Sequence, residues 1–237
     1  MQDYQMLKFR QKELNKMLKF KQKEFNQILK FKQNEKELKK KTNSETNLVK
    51  DFKIEHFKKI DSTQKEIFRR IALNKIQNKT VIIAEKQTSA IGTHGRIWYT
   101  EKEDNIAFSV YFELNCNIKN LDGLTLNIAK TITQIFLDQY NINLKIKFPN
   151  DIYYNNKKIG GILTESKVRG KIVKFVVIGI GINTNQEEFN PELKEIATSI
   201  KNEFNIKVNN ENIIKNILYQ IDLCFSNNIL NKEEIKW

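Results

Sequence analysis

Short blocks of hydrophobic residues alternate with turn residues through most of the chain, and this pattern predicts a sheet. The runs 80–85 (TVIIAE), 105–114 (NIAFSVYFEL) and 172–182 are rich in Val, Ile and Phe, as is typical of buried strands. The segment 121–140 instead spaces its apolar residues as a helix does. Because short turns such as 169–171 separate the last strands, we predict an α+β fold with a central, largely antiparallel mixed sheet flanked by helices.

Further helices are predicted by capping residues and apolar spacing. Ser62 or Thr63 can cap a helix that runs through the sequence IFRRIALNKI. The segments 191–204 and 210–225 are interpreted as closing helices.

The first 41 residues have a different pattern, an eleven-residue repeat that starts at Met6 (MLKFRQKELNK, MLKFKQKEFNQ, ILKFKQNEKEL). Eleven residues make almost three helical turns, so the apolar positions recur on nearly one side and predict an amphipathic helix. Arg10, Lys21 and Lys32 project into that side, which weakens a coiled-coil interpretation. Three hypotheses stay open: a self-associating helix, a basic surface that touches membrane or nucleic acid, and a repeat expansion without function.

Composition and charge support this division of the chain. The 237 residues are 40% apolar, which is enough for one sizeable core and an extension. The formal charge of +13 suggests nucleic acid or an acidic partner, but the first 41 residues hold +8 of it, with 13 Lys and Arg against 5 Asp and Glu. Residues 42–50 are polar without a period and predict a linker. We therefore expect the folded domain to span residues 51–237.

Cysteine usage and hydropathy exclude several classes of protein. Cys116 and Cys224 have neither the spacing of a metal site nor the number of a disulfide framework, and we expect no metal site built from side chains. No run approaches the roughly eighteen apolar residues that cross a bilayer, and the N-terminus lacks an apolar signal core. We expect a cytoplasmic protein without a membrane span.

The stretch 147–164 (KFPNDIYYNNKKIGGILT) holds the densest set of candidate chemistry. Its Asn-Asn pair predicts a tight hairpin turn, because asparagine tolerates positive φ. That hairpin has a carboxylate, Asp151, at one end and an ammonium, Lys158, at the other. Gly160 and Gly161 either mark a β-bulge or leave bare backbone for a ligand. On these residues alone the structural and the functional interpretations are equally supported.

A second candidate is the glycine-containing loop 87–98, which follows a predicted strand. Its backbone N–H groups suit an anion, and Arg96 offers a planar fork that fits phosphate or carboxylate. Trp98 offers a stacking face for a purine. A solvated loop and a core tryptophan would explain the same residues, so both interpretations stay open. The strand end 179–183 (GIGIN) is weak evidence for a nucleotide site.

Two of these segments resemble the signatures of the biotin protein ligases. KFPND at 147–151, followed by KKIGGIL at 157–163, is similar to their KWPND motif and Lys-hydrophobic-Gly/Ala-Gly-Ile-Leu strand. The segment 84–98 resembles their loop Gly-Arg-Gly-Arg-X-Gly-Arg-X-Trp, and the end of the last strand resembles their G-X-G-I-N. The first glycine and the first two arginines of that loop are replaced by Ala90, Ile91 and Thr93.

The resemblance implies an ATP-dependent ligase that joins biotin to protein in two steps. Biotin attacks the α-phosphate of ATP to give biotinyl-5'-AMP and pyrophosphate, and a lysine of a biotin carboxyl carrier protein or domain, such as that of acetyl-CoA carboxylase, then displaces AMP. ATP and biotin are the expected substrates, and Mg²⁺ is expected with ATP. The implied fold is that of the class II aminoacyl-tRNA synthetases and biotin ligases.

The same resemblance assigns three groups of site residues. The catalytic group comprises Lys158, Arg96 and Asp151. Biotin is expected to contact Ser62, Thr63, Gln87, Gly92, Lys158, Gly161 and Gly181. ATP and the adenylate are expected to contact Thr93, Arg96, Trp98, Asn150 and Asn183. Asp151 is expected to hold or relieve the ammonium of the acceptor lysine.

Two other functions remain as alternatives. A lipoate-protein ligase shares the adenylate chemistry, but its Gly-Gly-Gly-X-Val loop does not occur in this sequence. A biotin-binding protein without catalysis would explain the altered loop, whereas the retained Asp151, Lys158 and Arg96 argue against it. Because Thr93 replaces an arginine that helps to hold the intermediate, we expect the adenylate to escape more readily.

The sequence also suggests what accompanies this domain. We expect no winged helix, hence no specific DNA binding, and no counterpart of the family's small C-terminal β-barrel. The role of the repeats, a homodimer and the identity of the acceptor stay open.

Overall fold

The structure, a computed structural model, describes residues 49–100 and 104–230. The predicted repeat helix and nearly all of the predicted linker lie outside the described residues. In chain order the main elements are β1 (Lys53–Ile60), α1 (Thr63–Ala72), β2 (Thr80–Gln87), β3 (Ile106–Asn117), α2 (Leu124–Tyr140), β4 (Lys145–Lys147), β5 (Asp151–Tyr154), β6 (Lys157–Arg169), β7 (Ile172–Ile182), α3 (Ile200–Phe204) and α4 (Asn210–Leu230). None of the helices in the described ranges has the length and apolar content that a membrane span requires.

Within the described ranges the strands form one seven-stranded sheet in the order β1-β2-β3-β7-β6-β5-β4. β1 and β2 are parallel, and every other neighbouring pair is antiparallel. The long strands β3, β6 and β7 lie next to one another in the middle of the sheet. The predicted α+β fold with a largely antiparallel mixed sheet is confirmed.

The two faces of this sheet are covered differently. Alternate residues of β7, such as Val176 and Ile178, join the larger core, which also includes Phe136 of α2 and Ile217 of α4. Val177 points to the opposite face, into a smaller cluster with α1. This second face carries the pocket described below, so we call it the site face.

Local sequence explains two turns that shape the site. Ser62 caps α1 as predicted, accepting a hydrogen bond from the Lys65 backbone N–H at 3.4 Å. Asn155 and Asn156 join β5 to β6 with φ values of 45° and 65°, as the predicted tight hairpin turn requires. The first turn presents Ser62 and Thr63 to the pocket, and the second joins the strands that carry Asp151 and Lys158.

The segment 191–197 differs from its predicted helix. It forms turns, and only Ile200–Phe204 is helical in this region. The reason is a competing pairing with the backbone of β6. Lys158 donates its N–H to the Ile196 carbonyl at 2.9 Å, and Thr198 donates to the Lys158 carbonyl at 2.9 Å. These bonds hold residues 196–198 extended beside the predicted catalytic lysine.

Candidate active site

The site face has a floor of very small side chains. Ala107, Gly181 and Gly161 form one row of paired residues across β3, β7 and β6, and Ser109 pairs with Gly179 in the next row. Paired residues on neighbouring strands lie on the same face of a sheet. The floor therefore exposes backbone across three strands, where a flat ring can lie close to the sheet.

The indole of Trp98 lies on this floor. A Cβ atom at Gly181 would come within 2.3 Å of the ring, so only glycine leaves room for the indole there. Trp98 Nε1 is buried without a hydrogen-bond partner among the described residues, and Lys158 Nζ lies 5.6 Å from the ring centroid. A buried donor without a partner is costly, so this N–H marks a place where a ligand can supply an acceptor.

A β-bulge turns Lys158 toward the site face. Ile152 pairs with Gly160, but the next residue, Tyr153, pairs with Lys158, so Ile159 is the extra residue of β6. A one-residue shift moves a side chain to the other face of a sheet. The bulge therefore places Lys158 on the same face as Asp151, two residues before Tyr153. The extra residue lies directly before the glycine pair, for which the sequence left a bulge and bare backbone for a ligand as alternatives. A role of Gly160 and Gly161 toward a ligand stays a prediction.

Lys158 and Asp151 form an ion pair at the edge of the floor. Their Nζ and Oδ1 atoms are 2.7 Å apart, and the two side chains are 26% and 16% exposed. A Cβ atom at Gly161 would come within 3.2 Å of Lys158 Nζ, so this glycine leaves the space through which the lysine reaches Asp151. The arrangement fixes one ammonium group in a partly dry position beside the pocket.

Thr63 and Gln87 are joined by hydrogen bonds next to the floor. The Gln87 amide oxygen Oε1 accepts from the Thr63 backbone N–H at 2.8 Å and from Thr63 Oγ1 at 3.2 Å. Thr63 Oγ1 also lies 2.8 Å from Ser109 Oγ. Two donors of Thr63 thus converge on the carbonyl oxygen of the Gln87 side chain.

These groups surround one pocket. The predicted site residues in its wall are Ser62, Thr63, Gln87, Gly92, Thr93, Trp98, Asn150, Lys158, Gly161 and Gly181. The free volume is about 60 Å³, far below the roughly 300 Å³ at which ligand pockets begin. The indole of Trp98 occupies much of the floor, which explains the small volume.

The sequence profile of the Biotin/lipoate A/B protein ligase family matches residues 56–183, more than half of the chain. The chain belongs to this family. The matched range includes the capped start of α1, the loop 87–98 (the Trp98 loop), the hairpin with Asp151 and Lys158, and the glycines of β7.

Individual members of the family agree with this assignment. The chain is similar to the bifunctional ligase/repressor BirA of Bacillus subtilis, with 36% identity over 168 residues, 70% of this chain and 50% of that protein. It is also similar to the biotin--[acetyl-CoA-carboxylase] ligase of Mycobacterium tuberculosis, with 30% identity over 154 residues, 59% of this chain and 51% of that protein. The chain spans about half the length of these relatives.

A solved structure of the family has the same fold. The biotin protein ligase from Aquifex aeolicus in complex with biotin and ATP superposes with a TM-score of 0.62 and 25% identity, over 75% of this chain and 72% of that chain. The biotin-ligase-like fold predicted for the domain is confirmed.

Gln64 also lines the pocket of this chain, although the sequence did not predict it as a site residue. Its Nε2 donates to Glu165 Oε2 at 2.9 Å, while its Oε1 is buried without a partner among the described residues. A Cβ atom at residue 179 would come within 2.7 Å of that oxygen, so Gly179 makes room for the amide. An unpaired buried acceptor suits a ligand that carries an N–H donor. The sequence shows Gln64 only as a helix residue after the cap.

The Trp98 loop is fastened to the turn between β4 and β5. Asn150 Nδ2 donates to Thr93 Oγ1 at 3.4 Å and to the Ile162 carbonyl at 3.2 Å. Within the loop, Gly92 donates its N–H to the Arg96 carbonyl at 2.7 Å. The KFPND motif at 147–151 and the Trp98 loop are far apart in sequence, but they meet at one side of the pocket.

Three predicted site residues are outside the pocket wall: Asp151, which contacts Lys158 at the edge, and Arg96 and Asn183, which lie farther away. Arg96 is exposed. Asn183 is buried, and its Nδ2 donates to the Thr198 carbonyl at 3.2 Å. Its Oδ1 accepts from Asn105 at 3.5 Å, and Asn105 borders a second cleft of about 520 Å³ near Tyr99. The roles of Arg96 and Asn183 toward the adenylate stay predictions.

Asp61 fixes the turn that presents Ser62 and Thr63. Its Oδ1 accepts from the Ser62 N–H at 2.8 Å, and Arg69 donates two hydrogen bonds of 2.8 Å to its carboxylate. The hydrogen bonds from the Arg69 guanidinium lower the pKa of Asp61 from 3.8 to about 2. The turn is therefore fastened by a carboxylate that stays ionised well into the acid range.

This pKa shift predicts a pH dependence of stability. Because the folded-state pKa of Asp61 lies below its unfolded value, the stabilisation is complete above about pH 4 and disappears as the pH falls through about 2. The pair is partly exposed, so we expect Asp61→Asn to lower the free energy of unfolding by about 1 kcal/mol or less near neutral pH. Urea unfolding should show the difference from the wild type shrinking between about pH 4 and pH 2. The exposed Asp122→Asn is the control, and a difference for Asp61→Asn that is independent of pH would contradict the assignment.

Proposed function

We propose that the chain activates biotin with ATP to biotinyl-5'-AMP and transfers the biotinyl group to a lysine of a biotin carboxyl carrier domain. The observation that carries this proposal is the Lys158–Asp151 ion pair at the edge of a pocket that also contains Thr63, Gln87 and Trp98. The names of the relatives, which include biotin protein ligases and a biotin--[acetyl-CoA-carboxylase] ligase, support the same reaction.

The chemistry requires a fixed cation. A carboxylate is a poor electrophile, so it must be activated, and both steps build negative charge on phosphoryl or acyl oxygens. A preorganised ammonium such as that of Lys158 stabilises this charge without reorganising in the reaction. Asp151 holds the ammonium at the pocket edge. We propose that the same carboxylate holds or takes the proton that the acceptor lysine must lose before it attacks.

The polar groups of biotin are complementary to those of the pocket. Its ureido ring offers one carbonyl acceptor and two N–H donors. The converging donors of Thr63, now bonded to Gln87, suit the carbonyl, and the unpaired Gln64 Oε1 suits an N–H. The apolar tail would run over the glycine floor, so that its carboxylate ends near Lys158.

Magnesium is expected to enter with ATP. Among the described residues no three His, Cys, Asp or Glu side chains come together, so we assign the ion no set of protein ligands. Mg²⁺ is ordinarily carried by phosphate oxygens and water in such sites. It would neutralise phosphate charge during adenylate formation.

The direct test measures the mass of two acceptors. The protein is incubated with biotin, Mg-ATP and a biotin carboxyl carrier domain, beside a lipoyl domain with lipoate. A biotin-sized increase on the carrier alone would support the proposal, and a lipoyl-sized increase on the lipoyl domain would favour the lipoate ligase. Biotin binding without an increase on either acceptor would favour a binding protein.

Thr93 predicts how well the intermediate is retained. Threonine replaces an arginine of the family loop, so the pocket wall lacks a cation that would hold the adenylate phosphate. We expect the wild type to label bystander lysines, for example on serum albumin, and Thr93→Arg to reduce this labelling several-fold. The control Thr88→Arg adds the same charge at an exposed position outside the wall. Unlabelled albumin with excess biotin and ATP would contradict the prediction.

A further inference from the structure

Phe148 is a large aromatic residue that the fold leaves in solvent. It lies in the turn between β4 and β5, and 77% of its surface is exposed. It does not contribute to the pocket wall. The family signature includes this position, yet none of the roles assigned above uses its side chain.

The position of Phe148 is close to the candidate catalytic pair. Asn150, two residues later, lies in the pocket wall, and Asp151, three residues later, binds Lys158. Consecutive Cα atoms are about 3.8 Å apart, so the Cα atoms of Phe148 and Asp151 are at most about 11 Å apart. Phe148 therefore stands beside the edge of the pocket where the activated carboxyl group would lie.

Two further apolar side chains are exposed in the neighbouring loop. Ile91 and Ile97 face each other in a backbone bridge, and they are 46% and 61% exposed. The hydrogen bond from Asn150 to Thr93 joins their loop to the turn of Phe148. We call Ile91, Ile97 and Phe148 the apolar rim. Ile91 stands where the family loop has arginine, so the rim is more apolar in this chain than the family pattern requires.

We propose that the apolar rim binds the polypeptide on either side of the acceptor lysine, with Phe148 as its main contact. This inference rests on the proposed function. In the transfer step the acceptor amine must reach the carboxyl group beside Lys158, and a lysine side chain is too short to leave its own backbone far from the pocket entrance. Scattered apolar residues on a surface need no explanation, but these three lie on two hydrogen-bonded segments beside one pocket, which favours a shared contact surface. Exposed aromatic side chains are the usual anchors of such contacts.

The rim also predicts the chemistry of its partner. The flanks of the acceptor lysine should be apolar, because they replace water on Ile91, Ile97 and Phe148. Beside the rim, the strand β4 exposes Lys145 and Lys147. An acidic surface next to the apolar flanks would complement these charges and speed the encounter at low salt. The occupant is thus a carrier domain with apolar residues beside its acceptor lysine and an acidic surface next to them.

The test separates the two half-reactions. For Phe148→Ser we expect biotin-dependent exchange of pyrophosphate with ATP to stay within about twofold of the wild type, because the side chain lies outside the pocket. We expect the kcat/KM for a biotin carboxyl carrier domain to fall about tenfold or more, the usual effect of losing an interface anchor. Phe148→Leu should restore much of the transfer. Leu73→Ser, at the far end of α1 with 64% exposure, should change neither rate.

A second arm of the experiment changes the carrier domain instead of the ligase. Replacing the residues that flank its acceptor lysine by serine should slow transfer by the wild type, and should add little to the loss in Phe148→Ser. An equal loss in both half-reactions would place Phe148 in the biotin and ATP site and overturn the inference, as would unchanged transfer. A wild type that dimerises through Phe148, with transfer unaffected in the monomeric variant, would identify a second copy as the occupant. If the wild type catalyses no biotin-dependent pyrophosphate exchange, the proposed function itself is contradicted.

Discussion

Lys158→Ala is expected to lower the rate of biotinyl-5'-AMP formation by about 10³-fold while the protein remains folded. The ammonium is the cation that the structure fixes beside the pocket, 2.7 Å from Asp151 Oδ1. Its removal leaves the charge that develops on the phosphoryl and acyl oxygens without this partner. Pyrophosphate exchange measures the step, and urea unfolding checks the fold.

The neighbouring lysine provides the matched control. Lys157 donates to the Lys194 carbonyl at 2.6 Å and lies outside the pocket wall. Lys157→Ala removes the same charge from the adjacent position, so we expect adenylate formation close to the wild-type rate. Near-normal exchange by Lys158→Ala would refute the assignment of this residue.

Gly181→Ala is expected to weaken biotin binding by about 10- to 100-fold, because a methyl group rises from the floor on which the ligand must lie. It should also lower the free energy of unfolding by about 1–3 kcal/mol, the usual cost of overpacking. The new Cβ atom would lie 2.3 Å from the Trp98 ring, so the indole must move. Isothermal titration with biotin and urea unfolding measure the two effects.

A double-mutant cycle isolates the cause of the stability loss. In a Trp98→Ala background the methyl group no longer meets the indole, so the unfolding cost of Gly181→Ala should largely disappear. The loss of biotin affinity relative to Trp98→Ala should remain, because the floor is still raised. An equal unfolding cost in both backgrounds would show that the methyl group conflicts with something other than Trp98.

Features specified by neighbouring residues were predictable from the sequence. The cap by Ser62, the turn at Asn155 and Asn156, and the hydrophobic strands depend on local geometry and periodicity. The motif around Asp151 and Lys158 forms the predicted hairpin, with Asp151 in β5 and Lys158 in β6. Most of the site residues proposed from the motifs lie in the wall of one pocket.

Features that depend on strand register were not predictable. The floor exists because Ala107 of β3, which is far from the other two strands in the sequence, pairs with Gly181 of β7, and Gly181 pairs with Gly161 of β6. The bulge at Ile159 decides which face carries Lys158, and nothing in the spacing of Asp151 and Lys158 specifies it.

Contacts between residues that are distant in the sequence explain the other differences between the predictions and the structure. Gln64 joins the pocket only because Glu165 holds its amide beside Gly179. Backbone pairing with β6 keeps residues 196–198 from forming the predicted helix. Arg96 and Asn183 carry the family motif, but their side chains lie away from the pocket wall.

The position of the Trp98 indole on the floor has a consequence for the rate and the affinity of biotin binding. With about 60 Å³ free, the pocket as described has no room for a two-ring ligand. If biotin binds here as proposed, the Trp98 indole must leave the floor first, and at high biotin concentration that departure would limit the rate of entry. The apparent biotin affinity would then equal the intrinsic affinity scaled by the fraction of molecules with the floor uncovered. We therefore expect residues that contact only the Trp98 indole in this position to change the biotin affinity without touching biotin.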